Sequence, residues 1–329
     1  MKKNITIKEL SKMLDVSIST VSKALNDSHE ISPSTKDRIK EAAKLYNYKP
    51  NRIAVNLKSG RSNTIGVIIP SIHNFFLSRV LRGIDSVIAQ TQYNIIICIT
   101  NESYEKEVQS VQTLLNGFVD AIIIAVSEET QVKQEFTHLE EFQKEKPLLM
   151  FDRVVNSIDC DKVLVDDEEA VYASVKELIE KGRTKIILTS TINNLSVGKQ
   201  RTKGYKLAVE HLHKPIVIEG TEDQIEATVR SLITEKKIDG IIALDEEASL
   251  ASYRAGKQEK ILNDGSLSII GYAGRVISDN LSPRLTTIDQ HGKRLGRVAA
   301  ELLLKKLNKP LKDPESVVVN STLSRRDTL

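Results

Sequence analysis

Residues 6–26, TIKELSKMLDVSISTVSKALN, decide what kind of molecule this is. Thr6-Ile-Lys-Glu9 has the form of a capping box, a threonine hydroxyl taking the amide three residues on and a glutamate reaching back. Ile7, Leu10 and Leu14 follow at i, i+3 and i+7, which puts an apolar stripe on a short helix. Asp15-Val16 reads as a turn, and Ser17 as the N-cap of a second helix whose Val21, Ala24 and Leu25 face the first. Downstream, Ser32-Pro33 supplies an N-cap and an N1 proline for a third helix, with Ile39, Ala42, Ala43 and Tyr46 on its inner face. Three short helices with a tight turn between the first two predict a helix-turn-helix, whose second helix enters the major groove of DNA.

On that geometry Ile18, Ser19, Ser22 and Lys23 face base edges. Lys23 can donate to guanine O6/N7, and Ile18 can pack on a thymine methyl. Ser17, Thr20 and Asn26 suit phosphates, through hydroxyl, amide and the helix N-terminus, and Thr6 is expected in the same DNA-contacting set. A small helical interaction module with a solvated basic face is the competing reading. Charge favours DNA: residues 1–61 hold 13 Lys+Arg and 6 Asp+Glu, a balance of +7, within a chain whose 329 residues sum to only +3. The other 268 residues carry 34 basic and 38 acidic side chains, a balance of −4.

The pattern changes where the charge does. From Thr64 onward, apolar runs alternate with amphipathic segments: TIGVIIP (64–70), YNIIICIT (93–100), VDAIIIAV (119–126), PLLMF (147–151), KVLVD (162–166), TKIILTS (184–190), PIVIEG (215–220), DGIIAL (239–244) and LSIIGYA (267–273). These Ile- and Val-rich runs do not alternate with polar residues, as expected of parallel strands covered on both faces. Helices are predicted between them, one over 75–90 and another over 168–181 that ends at Gly182. The result is an α/β body of doubly wound parallel sheets, in two lobes divided near 156–163, where VNSIDCDK breaks the pattern. A (β/α)8 barrel is the alternative. Either architecture binds ligands at the C-terminal ends of its strands.

Residues 50–61, PNRIAVNLKSGR, join head to body. Ile53 and Leu57 lie at i, i+4 between a capping Asn51 and a terminating Gly60, and a helix this short is unstable without a partner; an ordinary linker, which composition alone slightly favours, is the competing reading.

Taken together, TIKELSKMLDVSISTVSKALN, ISPSTKDRIKEAAKLYNYKPN (31–51) and IAVNLKSGRSNTIGVIIP (53–70) resemble the LacI/GalR family of bacterial transcriptional repressors. The likeness continues through FDRV (151–154), RTKGY (201–205), IIGYA (269–273), LTTIDQ (285–290) and LSRRDT (323–328). It implies a homodimer on a near-palindromic operator in double-stranded DNA. It also implies a hinge helix over Asn51–Lys58, with Asn51, Ala54 and Lys58 at the DNA and Leu57 wedged into the minor groove. The body would resemble periplasmic sugar-binding proteins, resolving two lobes against the barrel. The first lobe would hold about 62–160 and 290–317, the second about 161–289 and 318–329. A carbohydrate-related effector would bind between them and control operator affinity.

The resemblance places His73 and Phe76 after the first strand, Arg153 after PLLMF, and Arg201 as the guanidinium that binds effector hydroxyls or a carboxylate. Arg153 has a second reading, as a pair across the lobe interface. Two positions depart from the family. Ala273 replaces the usual aspartate of the late strand, and Leu244 stands where Asn or Asp often precedes Asp245. Both changes remove polar partners, so an effector more apolar or anionic than a bare hexose is expected, with Gly274 and Arg275 compensating.

Other classes find little support. Walker A, HExxH and G-x-S-x-G strings are absent, so no enzyme chemistry or cofactor is expected. Asp166–Glu169 and Asp245–Glu247 fall at helix starts, where carboxylates favour the helix dipole over a metal. Cys98 and Cys160 have no CxxC spacing. Without an apolar span or a leader-like N-terminus, a cytoplasmic protein is expected rather than a membrane or secreted one, and no C-terminal heptads suggest a tetramer. The alternative function is a periplasmic-type binding protein with a non-functional head.

Overall fold

The computed structural model describes residues 5–48, 61–309 and 313–329. The chain divides into two compact units, Met1–Ser62 and Asn63–Leu329.

In the first unit, α1 (Ile7–Met13), α2 (Ile18–Leu25) and α3 (Pro33–Leu45) follow their caps. Thr6 and Glu9 form both bonds of the capping box, and the Ser17 and Ser32 hydroxyls accept from the amides of Thr20 and Thr35. Each such cap is worth about 1 kcal/mol, a large share of what a helix this short can have. Asp15 takes a left-handed φ of 52°, which ends α1 and turns the chain into α2. Leu10, Val21, Ala24, Ile39 and Ala43 close a small core. Tyr46 is not part of it. As the residue that ends α3 it is 45% exposed, and Tyr48 packs against the core instead.

The second unit contains two six-stranded sheets, which excludes the barrel. The first lobe runs β1 (Thr64–Ile69), α4 (Phe75–Ile88), β2 (Asn94–Ile99), α5 (Tyr104–Thr113), β3 (Ala121–Ile124), α6 (Glu128–Lys133), α7 (Thr137–Glu145), β4 (Leu148–Phe151) and β5 (Asp161–Val165). The second runs α8 (Asp167–Glu180), β6 (Ile186–Ser190), α9 (Ser196–Val209), β7 (Val217–Glu219), α10 (Glu222–Thr234), β8 (Gly240–Ala243), α11 (Glu246–Gln258), β9 (Ser268–Gly271), α12 (Arg275–Asn280) and β10 (Thr286–Asp289). The chain then returns α13 (Gly292–Asn308) and β11 (Ser316–Val319) to the first lobe, and β12 (Thr322–Ser324) to the second.

The strand orders are β11-β5-β4-β3-β1-β2 and β12-β10-β9-β8-β6-β7, all parallel except β12 against β10. Three crossings join the lobes, and the first and last fall later than expected. KVLVD (162–166) pairs with β4 and β11, so the first crossing follows Val165 rather than lying near 156–163, and β5 belongs to the first lobe. The last lies between Val319 and Thr322 rather than at 317–318. Sequential position assigns a parallel strand to no particular sheet; pairing does.

Alternate residues of the central strands feed two cores. Ile65, Val67 and Ile69 pack on α4 and α13, while Ile68, Ile122 and Ile124 pack on α5 and α7. In the second lobe, Ile187, Ile241 and Ile269 meet α10 and α11, and Ile186, Leu188 and Ile270 meet α8 and α9. β2 departs from the expected double cover. It pairs only with β1, and Ile96, Ile97 and Ile99 are 37, 51 and 38% exposed.

Candidate functional site

The start of α2 carries a hydroxyl cluster. Ser17 Oγ lies 2.7 Å from Ser19 Oγ and 2.8 Å from Thr20 Oγ1, while Ile18 stands 47% exposed beside them. Ser22 is half-buried one turn on. Lys23, expected as a free donor, meets the Glu30 carboxylate instead. That pair is exposed on both sides, and such pairs are worth under about 1 kcal/mol, so a stronger acceptor can displace it. Asn26 spends its amide on Ser22 O at 3.0 Å, and Thr6 commits its hydroxyl to Glu9 at 2.8 Å. Asn51, Ala54, Leu57 and Lys58 lie outside the described residues.

In the body, the C-terminal ends of both sheets enclose a cleft of about 670 Å³. Phe76, Arg153, Arg201, Asp245, Ala273 and Arg275 line it. His73 does not. Asn74 caps α4 through its side chain and turns Phe75 and Phe76 inward, leaving His73 exposed on the preceding loop with its amide on Ser71 Oγ.

Arg201 is 4% exposed and held on three sides. Its Nε donates to Asp167 Oδ1 at 2.6 Å, its Nη1 to Leu244 O at 2.5 Å, and its guanidinium lies 4.0 Å from the Tyr272 ring centroid. Gly204 makes this possible. A Cβ there would sit 2.2 Å from Glu168 O, so only glycine lets α9 approach α8 closely enough to bring Arg201 to Asp167. Arg153 pairs with Glu102, Nη1 lying 2.7 Å from both carboxylate oxygens. Glu102 follows β2, so this pair is within the first lobe and does not bridge the lobes. Asp245 caps α11 through Ala248 N and also accepts from Thr191 N and Oγ1, so protein donors already occupy both its oxygens. Arg275 stands at the rim, its Nε on Asp279 at 3.0 Å.

Sequence reasoning missed the most telling atoms. Asp152 Oδ1, Tyr272 OH and Gln290 Nε2 are buried, line the cleft, and have no hydrogen-bond partner among the described residues. An unpaired buried polar atom costs about 1–3 kcal/mol, so three around one cavity mark a site built for a polar ligand. Burial, with the Asp167 carboxylate adding to it, pushes the Asp152 carboxyl up to about 6 against the opposing pull of Arg153 and Arg201. Burial likewise raises the Tyr272 hydroxyl, which stays a neutral donor and acceptor.

Two contacts tie the lobes together beside the cleft. Gln131 of α6 accepts from Ser196 N at 2.9 Å and donates to Ser196 Oγ at 3.1 Å, at the start of α9. The Phe75 ring lies against Gly274, where a Cβ would come within 2.6 Å of it.

Comparison with known proteins bears on both units. Residues 6–51 match the bacterial regulatory proteins of the lacI family, and residues 62–326 match the periplasmic binding proteins and sugar binding domain of LacI family. The chain belongs to the LacI family. Catabolite control protein A of Priestia megaterium is 30% identical over 324 residues, 95% of this chain and 96% of that protein. The PurR repressor of Vibrio cholerae is 26% identical, over 98% of each chain. In fold, the lac repressor dimer bound to operator and the anti-inducer ONPF superposes with a TM-score of 0.87 at 21% identity, over 99% of each chain. As a LacI-family member the chain is a DNA-binding transcriptional regulator with a small-molecule effector domain, and such proteins are regulators rather than enzymes. Among the described residues no helix is long and apolar enough to cross a membrane, and no cluster of His, Cys, Asp and Glu could hold a metal ion.

Proposed function

We propose that this protein is a homodimeric, cytoplasmic repressor without enzymatic activity, and that a carbohydrate-related effector in the cleft sets its affinity for a near-palindromic operator. The observation that carries the reading is the joining of a fully capped helix-turn-helix to a cleft with three buried polar atoms lacking partners. On the DNA side, Ile18, Ser19, Ser22 and Lys23 read base edges while Ser17, Thr20 and Asn26 meet phosphates. On the effector side, Asp152, Arg201, Tyr272 and Gln290 bond the ligand, Phe76 and Ala273 supply apolar walls, and Arg153, Asp245 and Arg275 complete the lining. The exposed Ile96, Ile97 and Ile99 on edge strand β2 give a second copy an apolar strip to cover, and such edges are rarely left bare.

The test is enrichment of bound sequences from a random DNA pool, followed by gel shifts over a salt series. A two-fold-related site should emerge, with log affinity falling by about 0.9 per neutralised phosphate for each decade of salt. Binding with no sequence preference, or indifferent to salt, would refute the reading.

A further inference from the structure

We propose that the end of the cleft where α4 and α13 begin is an anion subsite, and that the effector places a phosphate ester or carboxylate there. The proposal rests on the cleft being the effector site and adds the ligand's chemical class.

Two long helices, α4 and α13, begin at this end of the cleft, and neither carries an acidic residue in its first turn. Their starts nearly touch. A Cβ on Gly292 would lie 2.9 Å from Phe76 O and 3.2 Å from Arg79 Cβ, so glycine allows the first turn of α13 to rest on that of α4. The amides of Phe75, Phe76, Gly292 and Lys293 find no acceptor among the described residues. Two converging helix N-termini concentrate N–H groups and positive dipole ends, the arrangement that binds anions.

A second observation points to a ligand independently. Gln290, two residues before α13, is 9% exposed, and its Nε2 donor has no partner among the described residues. Arg79 adds charge. It lines the same end with its guanidinium 5.6 Å from the Phe75 ring centroid, and no carboxylate among the described residues pairs with it.

The acceptors nearby are already engaged. Asp279 takes both Arg275 and Arg326, Asp289 takes the His291 amide, and Glu246 takes the Gly274 amide. Donors are left over while these carboxylates are bonded, so the missing partner is an acceptor with negative charge. The far end, with Asp152, Tyr272 and Arg201, suits hydroxyls. A polyhydroxylated ligand anionic at one terminus satisfies both ends.

Matched sugars that differ only at C6 provide the test: glucose, glucuronate and glucose 6-phosphate, with the corresponding galactose and mannose sets. Calorimetry and thermal shift on the full chain read binding, with inorganic phosphate as competitor. In at least one set an anionic member should bind roughly tenfold or more tighter than its neutral sugar, as charge-assisted hydrogen bonds require. Phosphate over carboxylate, or the reverse, identifies the group. Arg79→Gln should remove that preference and leave the neutral sugar within about twofold, while Gln290→Glu should weaken the anionic member at least roughly tenfold more than the neutral one. No preference for an anionic member in any set, or equal losses for both ligands in both variants, overturns the subsite. A neutral sugar that binds without such preference and weakens in Tyr272→Phe removes the subsite while the cleft stands. A ligand whose affinity ignores Tyr272→Phe, Arg79→Gln and Gln290→Glu alike removes the cleft reading itself.

Discussion

Gln131→Ala should loosen the closure of the two lobes and weaken effector binding without unfolding the chain. Helix α9 starts badly on its own, because its N-cap position is Leu195, which has no side-chain acceptor. Gln131 supplies the missing cap from the other lobe, accepting from Ser196 N and donating to Ser196 Oγ. Loss of an N-cap costs about 1 kcal/mol, and a second neutral hydrogen bond adds about 0.5–1. Both bonds span the lobes, so the whole of about 1.5–2 kcal/mol acts on the balance between closed and open. If the effector binds the closed form and that form is the minority, its apparent dissociation constant should rise roughly 10- to 30-fold, in proportion to the closed fraction lost. Gln131→Glu keeps the acceptor for Ser196 N and sets a negative charge at a helix start, so it should recover about half of the loss. Calorimetry gives the affinities, and hydrogen exchange over residues 195–200 reports the cap directly. The cleft is wired to this contact. Arg153 holds Glu102, whose carboxylate accepts from Glu128 N at the start of α6, the helix that carries Gln131. Unchanged exchange in Gln131→Ala, or unchanged effector affinity with faster exchange, would refute the argument.

Asp152 gives a pH prediction. Its folded pKa is raised to about 6 from an ordinary value near 3.8, so between those values the native state holds a proton that the unfolded state has released. Stability therefore falls as pH rises through that window, by about 3 kcal/mol in all, and levels off above it. Asp152→Asn should flatten the difference between pH 4 and pH 7 in urea titrations and stabilise the protein at neutral pH; a parallel wild-type profile counts against the assignment. Ile18→Ser should relax discrimination at one base pair of the operator by about 1–3 kcal/mol, read as lost preference for thymine in competitive gel shifts. Leu57→Ala, placed from sequence alone, is expected to weaken operator binding strongly and leave effector binding nearly intact, whereas equal loss of both would indicate misfolding.

The strands that could be read from sequence are those whose Ile and Val runs are long enough to be unmistakable. Those overlooked as apolar runs, TTID in β10, SVVV in β11 and TLS in β12, are three or four residues long, and each mixes in threonine or serine. Helix caps were legible because capping is local chemistry, from Thr6 and Glu9 to Ser32 and Pro33. Pairing is not local, which is why β5 was given to the wrong lobe. The cleft shows the same division. Arg201 stands in a string, Arg-x-x-Gly-Tyr, whose spacing serves a helix contact and can be recognised. Asp152, Tyr272 and Gln290 matter because their neighbours fail to bond them, and an absent partner leaves no trace in a chain read residue by residue. Lys23 and Glu30 are seven residues apart, but α2 ends at Leu25, so the turn that brings them together follows no periodicity.

Those three atoms also show how a ligand could drive the regulator. Asp152 follows β4 in the first lobe, Tyr272 follows β9 in the second, and Gln290 sits just after β10 on the connection that returns to the first lobe. A ligand bonded to all three is bonded to both lobes and to their connection. Its binding energy must therefore depend on how the lobes are disposed, since separating them lengthens at least one bond. A ligand shifts a conformational equilibrium only by the difference in its affinity for the two states. Three hydrogen bonds of about 1 kcal/mol each, made fully in one disposition and partly in another, give a difference of about 1–3 kcal/mol. That is the size of typical coupling between sites, so no further device is required to make the cleft an effector switch. The same ligand held by Asp245 and Tyr272 alone, both in the second lobe, would bind as well as its contacts allow and shift nothing.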